Sequence, residues 1–229
     1  MNRLSDLNIS NQNLVIRVDM NVPIEDGVVT DNTRILACMP TIKFAQKSNA
    51  KILLVTHQGR PKEGTFDKRF SLKPIATEVS KILDHEVDLI DNLDSTKIFN
   101  GSSDIQILEN IRFFEGEKSN CNKLGKLLSS LGDIYVFDAF GTSHREQSST
   151  HSAIVNSNLS CAGLLLEKEI DSLTKALNES QNPYTAIIGG AKVSTKLELI
   201  KNINSKADHI IVGGGIANTF LKAAGHEIG

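Results

Sequence analysis

Four short apolar runs in this sequence end on side chains of the kinds that hold anions. Asp19 and Asn21 follow LVIRV (14–18), and His57, Gln58, Gly59 and Arg60 follow KILLVT (51–56). Glu109, Asn110 and Arg112 follow IQIL (105–108). Asp138, then Gly141 through Arg145, follow IYVF (134–137). Three of the four run ends carry an arginine, and Arg34 stands after TDNT at the start of a helical pattern. Guanidinium groups pair bidentately with phosphate and carboxylate. Asp19 and Asn21 can hold hydroxyls, while Gly59 and Gly141 let backbone approach a ligand. Converging on one crevice, these residues would take a small, multiply anionic hydroxy acid, phosphorylated. The alternative is a set of exposed ion pairs, each worth little.

The stretch VFDAFGTSHREQSST (136–150) also contains Asp138, Ser143 and His144, the residue types of a hydrolase triad. A triad is recognised by geometry, and adjacent residues such as Ser143 and His144 point apart on most backbones. The nucleophile elbow G-x-S-x-G is missing. The favoured reading is a ligand-facing loop led by Arg145. In it His144 bonds Arg145 or ligand, Ser143 stands by, and Asp138 orients a neighbour.

A second cluster, IIGGAKVSTK (187–196), places two glycines after an apolar run and then a helical pattern. It predicts Lys192 and Lys196 on one helix face, near free N–H groups that attract phosphate. The spacing of the Walker A loop is not met. GGGIANTF (213–220) has Asn218 where the dinucleotide fingerprint needs its third glycine. Together Gly189, Gly190, Lys192, Lys196, Gly213 and Gly214 suggest a second polyanion, most simply nucleotide phosphates. Tight strand-to-helix turns with solvated lysines are the competing explanation.

What must position these residues can be read from the rest of the 229-residue chain. It is 40% hydrophobic, enough for a core, with a formal net charge of −2 and 5% aromatics. That balance argues against nucleic acid or a membrane surface as partner. Cys38, Cys121 and Cys161 are far apart, with no C-x-x-C, and read as free thiols in a reducing cytosol. MNRLSDLNIS has no apolar core of a signal peptide, and a cytoplasmic location is expected.

The four runs, with VDLI (87–90), TAII (185–188) and HIIV (209–212), suit strands buried on both faces. Helical patterns alternate with them at 33–48, 71–83, 121–131, 163–177, 194–203 and 216–225. Pro40 is expected to kink or break the first. Ser71 is expected to cap the second, with Pro74 in its first turn. Gly225 reads as a C-cap. The predicted fold is α/β: a three-layer αβα Rossmann-like domain with a parallel sheet, residues 1–162, then a hinge helix at 163–183. From 184 to 229 a second α/β domain begins and is expected to be cut short, since two strands and two helices cannot cover both faces of a sheet.

In order and spacing, RVDMNVP, TDNTR, HQGRPKEG, ENIRFFEGE, DAFGTSHR, GGAKVSTK and GGGIANTF resemble the phosphoglycerate kinase family. The resemblance covers essentially the whole chain and implies the N-terminal part of a longer protein. It implies two Rossmann-like domains across a cleft, one for 3-phosphoglycerate or 1,3-bisphosphoglycerate, the other for Mg-ATP or Mg-ADP. Hinge closure would let phosphoryl transfer directly. It implies that Asp19, Asn21, Arg34, His57, Arg60, Arg112 and Arg145 bind the acid, and that Arg34 and Lys192 stabilise the transferring group. Lys196 would hold nucleotide phosphates, the magnesium would be bound through those phosphates, and the protein would be a monomer. Gln58 and Ser143 depart from the family's usual apolar residue and alanine, without removing a charge. The family's later nucleotide motifs are missing, so this chain alone is expected to be inactive. A non-catalytic module for a phosphorylated acid is the second reading. A nicotinamide-dependent oxidoreductase is the third, disfavoured by the missing G-x-G-x-x-G.

Overall fold

The computed structural model describes residues 1–93, 96–178 and 182–229. Residues 179–181 of the expected hinge segment thus lie outside the described residues. The chain divides into two units, Met1–Glu169 and Ile170–Gly229.

In unit 1, each apolar run becomes a strand. In chain order the elements are β1 (Asn13–Val18), β2 (Ile24–Glu25), β3 (Val28–Val29), α1 (Thr33–Lys47), β4 (Lys51–Val55) and α2 (Lys73–Leu83). Then come β5 (Asp88–Ile90), β6 (Ile105–Leu108), α3 (Asn122–Ser130), β7 (Ile134–Asp138), α4 (Ala153–Asn156) and β8 (Ser160–Ala162). The helix α5 (Leu164–Asn178) follows, and the division between units falls within it. Six strands form one parallel sheet in the order β5-β6-β4-β1-β7-β8. Side chains alternate across it, so its two faces build two cores. Leu14, Ile16, Ile52 and Leu54 pack with α1 and α2 through Ile35, Ile42, Ile75 and Val79. Val15, Leu53, Val55 and Tyr135 pack with Leu124 and Leu128 of α3 and Ala153 of α4. This is the expected three-layer arrangement.

Two local expectations are corrected. α1 runs unbroken through Pro40. Pro40 and Leu36 are exposed, so the carbonyl that the proline leaves unpaired can turn to water. The N-cap of α2 is Leu72, not Ser71. The Ser71 hydroxyl and the Leu72 N–H both donate to the buried Glu109 carboxylate, at 2.7 Å each, which fixes the helix start from outside the helix. The β2–β3 hairpin and the edge strand β8 were not foreseen.

Asp138, fully buried at the end of β7, orients its neighbours as expected. It accepts from Thr41 Oγ1 of α1 at 2.6 Å and from Leu166 N of α5 at 2.9 Å. Thr41 Oγ1 accepts in turn from Leu164 N at 3.0 Å. Two helices are thereby pinned to the strand end. Gly163 has no room for more: a Cβ there would sit 2.5 Å from the Asp138 carboxylate.

Unit 2 contains β9 (Thr185–Gly189), α6 (Leu197–Asn204), β10 (His209–Gly213) and α7 (Gly215–Ala223). β9 and β10 pair in parallel, Thr185 with His209 through Gly189 with Gly213. α7 packs on both strands through the buried Ile216. Ala186 and Ile188 are buried, whereas Ile187 and Ile211 on the opposite face are 77% and 53% exposed. Among the described residues, this face of the two-stranded sheet is left exposed. Gly225, with φ +90°, ends α7 one residue beyond its C-cap. Among the described residues no helix is long and apolar enough to cross a membrane.

Candidate functional site

The connections of unit 1 run to one side of β1 through β4 and to the other through β7. Where an open parallel sheet reverses its winding, a crevice opens at the carboxyl ends of its strands. Asp19 and Asn21 follow β1, His57 to Arg60 follow β4, Arg112 follows β6, and Arg145 follows β7.

Side chains lace these loops together. Gly59 N donates to Asn21 Oδ1 at 2.9 Å, which leaves the Asn21 NH₂ for other partners. Asn110, fully buried, donates to the carbonyls of Gln58 at 2.8 Å and Phe70 at 2.9 Å, and its Oδ1 accepts from Arg112 N at 3.1 Å. Arg112 therefore sits in a short 3₁₀ turn, Ile111–Phe113, whose orientation is set from two points of the β4–α2 connection. Gly59 is required by its φ of +59° and by the Phe70 ring, 2.5 Å from where a Cβ would be. Close ligand approach is not needed to explain it. At Gly141 a Cβ would meet only the Asp19 carboxylate, at 3.3 Å.

Arg112 is buried and donates through Nη1 to the Gly59 carbonyl, while its buried Nε has no partner. Burial, then the Arg145 and Arg17 charges, lowers its pKa. A cation desolvated among like charges, with a donor unsatisfied, is a place for an anion.

His57 is also buried, and its Nδ1 lies 3.2 Å from Nη2 of Arg17. Arginine can only donate, so Nδ1 accepts and the proton resides on Nε2. Burial first, then Arg17, Arg112, Arg145 and Arg34, pushes the His57 pKa down to about 2. The imidazole stays a neutral donor. Its folded value lies below the unfolded one, so its contribution to stability is full above about pH 6.5. It is lost as the pH falls toward 2. The expected result is that ¹⁵N NMR of His57 shows the neutral Nε2–H tautomer unchanged from pH 8 to pH 5. An imidazolium signal in that range would contradict it.

Arg34 makes an ion pair with Asp19 at 3.0 Å, its side chain 56% exposed, so for this arginine the ion-pair alternative is what the structure contains. Such a pair is weak and exchangeable. Arg60 is exposed and Arg145 half-buried, and neither has a side-chain hydrogen bond or ion pair among the described residues. The Arg145 carbonyl accepts from Thr150 Oγ1, which anchors its backbone. Ser143 is exposed and donates to the Phe140 carbonyl at 2.7 Å. With the Asp138 carboxylate committed to Thr41 and Leu166, no hydrolase triad forms.

Sequence reasoning passed over Arg17, buried inside β1. It donates to the Val18 carbonyl and, through Nε, to Ser149 Oγ at 3.0 Å. Ser149 Oγ donates to Glu117 Oε1 at 2.6 Å, and Ser149 N to Glu117 Oε2 at 2.9 Å. The Tyr135 hydroxyl donates to the Ser149 carbonyl at 2.6 Å. Arg17 thus joins His57 to a buried network beneath the Arg145 loop. The available signal was a charge inside an apolar strand, where burial requires partners.

In unit 2 the expectation for the two lysines is corrected. A 3₁₀ turn spans Val193–Thr195, and α6 begins only at Leu197, with Lys196 as its N-cap. Lys192 and Lys196 flank that turn rather than share a face of one α-helix. The Lys196 stem lies over Gly190, with Cε 3.3 Å from where a Cβ would be. Gly214, at φ +62° and ψ −150°, adopts a conformation open in practice to glycine alone, and precedes the first turn of α7. Ile216 N donates to the Gly190 carbonyl at 3.1 Å, bringing the two glycine turns together.

Comparison with known proteins decides the family. A family model described as phosphoglycerate kinase matches residues 4–229. The chain belongs to the phosphoglycerate kinase family. It is 47% identical over 228 residues to the phosphoglycerate kinase of Nitratidesulfovibrio vulgaris, covering 99% of this chain and 58% of that one. Against that of Vibrio campbellii it is 45% identical over 228 residues, with the same coverage. A solved phosphoglycerate kinase from Coxiella burnetii is 44% identical with a TM-score of 0.86, covering 99% of this chain and 58% of that chain. The phosphoglycerate kinase structure from Pyrococcus horikoshii, at 34% identity, has a TM-score of 0.85, covering 100% and 59%. The chain thus spans 58% of the length of these curated phosphoglycerate kinases.

Proposed function

We propose that unit 1 binds 3-phosphoglycerate or 1,3-bisphosphoglycerate, and that unit 2 binds the phosphates of Mg-ATP or Mg-ADP. In the intact protein phosphoryl then passes directly between acid and nucleotide, the glycolytic reaction of a phosphotransferase. The observation that carries this reading is the partnerless Nε of buried Arg112 near a neutral His57, whose Nδ1 is taken by Arg17 and whose Nε2–H is left as a donor. Membership of the phosphoglycerate kinase family supports it.

The roles follow from the chemistry of each group. Arg60, Arg112 and Arg145 neutralise the phosphate and carboxylate of the acid, and His57 Nε2–H donates without adding charge. Asp19 and the Asn21 NH₂ meet its hydroxyl, Asp19 releasing Arg34 as it does so. Arg34 and Lys192 stabilise the charge that develops on the transferring phosphoryl, where in-line positioning and neutralisation matter more than a base. One P–O bond to the nucleotide breaks as one to the carboxylate oxygen forms, and no proton need move. Gly189, Gly190, Gly213, Gly214 and Lys196 cradle nucleotide phosphates through turn N–H groups and one cation. These donors suit phosphates rather than a metal, and among the described residues no cluster of three or more His, Cys, Asp or Glu offers a cation site. Magnesium fits here as a companion of the phosphates and supplies charge neutralisation when bound. A monomeric, cytoplasmic protein completes the proposal.

With one face of its nucleotide-side sheet left exposed among the described residues, this chain by itself is expected to bind the acid without turning over. A coupled assay with ATP and 3-phosphoglycerate should show no rate above the no-enzyme control. Sustained turnover by the purified chain, abolished by Arg34→Ala, would contradict that expectation.

A further inference from the structure

The backbone ladder between β1 and β4 ends at the pair Arg17 and Val55. Beyond that point side chains take over. Met20 N donates to Thr56 Oγ1 at 3.0 Å. Val22 N donates to Gln58 Oε1 at 3.2 Å, and Gln58 Nε2 donates to the Val22 carbonyl at 2.7 Å. The Gln58 carboxamide thus offers Val22 one donor and one acceptor, as a peptide group of a neighbouring strand would. The main-chain carbonyl of Gln58 also accepts from Asn110 Nδ2 at 2.8 Å, tying in the Arg112 turn. One residue therefore touches all three loops that carry Asp19 and Asn21, His57 and Arg60, and Arg112.

We infer that Gln58 is a positioning residue for the anion site, setting the distance between the Asp19–Asn21 loop and the His57–Arg60 loop. The inference rests on the reading of that site proposed above. A ligand that must reach hydroxyl-binding groups on one loop and cations on the other depends on this spacing. An inorganic anion resting on the arginines alone does not. Displacements near 1 Å in a positioned site change its output by up to about 100-fold.

The test compares two probes on the full chain. In Gln58→Leu, affinity for 3-phosphoglycerate should fall by about 10- to 100-fold. Affinity for inorganic phosphate, followed by NMR titration, should stay within about twofold, as the charge-pairing groups are intact. Hydrogen exchange at the Val22 and Gly59 amides should speed up while the unfolding midpoint hardly moves. Should Gln58→Leu fail to fold, Gln58→Ser, which admits water to Val22, carries the same comparison. Equal losses for both probes, or no loss for either, would overturn the positioning role and leave the site reading intact. A parent that binds phosphate but not 3-phosphoglycerate would instead overturn the site reading, and the inference with it.

Discussion

Arg112→Ala is expected to lower the affinity for 3-phosphoglycerate by about 100-fold. A hydrogen bond to a charged partner contributes about 1.5–3 kcal/mol, and the guanidinium offers two, so about 3 kcal/mol is at stake. Stability should move differently. Arg112 is a buried cation among other cations, its Nε without a partner, so the folded chain carries a desolvation cost that alanine removes. Against this stands the loss of its bond to the Gly59 carbonyl. The expected outcome is therefore a large loss of binding with a urea midpoint unchanged or slightly raised. Arg112→Lys should recover only part of the affinity, because an ammonium lacks the planar fork. Binding that survives Arg112→Ala, or a loss explained by unfolding, would remove Arg112 from the site.

Arg17→Met is expected to have the largest effect on stability. Arg17 holds Ser149 Oγ, which holds Glu117, and all three are buried. Removing one member of such a buried charged set costs about 3–5 kcal/mol. Glu117 makes the loss pH-dependent. Burial already holds its carboxyl above the usual carboxylate range, with Arg17 the largest opposing influence. Without Arg17 the Glu117 value rises further. A raised carboxyl contributes stability that is full below its unfolded value, about 4.3, and that is lost as pH rises through the folded value. The cost of Arg17→Met should thus be larger at pH 7 than at pH 5 in urea unfolding. Equal costs at the two pH values would show that Glu117 is not coupled to Arg17. The variant should also free His57 Nδ1, and with it the tautomer that presents Nε2–H.

Much of the fold was written in residue types. Runs such as ILLV (52–55) and IYVF (134–137) are apolar without alternation, which suits a strand covered on both faces. The β2–β3 hairpin carried its own signal: Asp26 and Gly27, at φ +51° and +77°, are the Asp-Gly turn that such a hairpin prefers. Its strands are two residues each, too short for periodicity to reveal. β8 is equally hidden, because Ser160–Ala162 is short and becomes a strand through long-range pairing with β7. The candidate site was legible to the extent that strand-end position suffices, which brought Asn21, His57 and Arg112 into view. Distances decided the rest. Nothing in the sequence says that Arg34 pairs with Asp19, or that Asn21 gives its oxygen to Gly59. Gln58 looked like a minor departure until its carboxamide was seen to join two loops. Lys192 and Lys196 were misjudged because helical spacing was assumed through Val193–Thr195, where a tighter 3₁₀ turn intervenes.

The most direct measurement is a calorimetric titration of the unaltered chain with 3-phosphoglycerate, with unphosphorylated glycerate as the comparison. One binding event per chain, strong for the phosphorylated acid and weak for glycerate, is the expected result. A well-folded chain, by circular dichroism, that binds neither would contradict the assignment of the arginine crevice to a phosphorylated hydroxy acid.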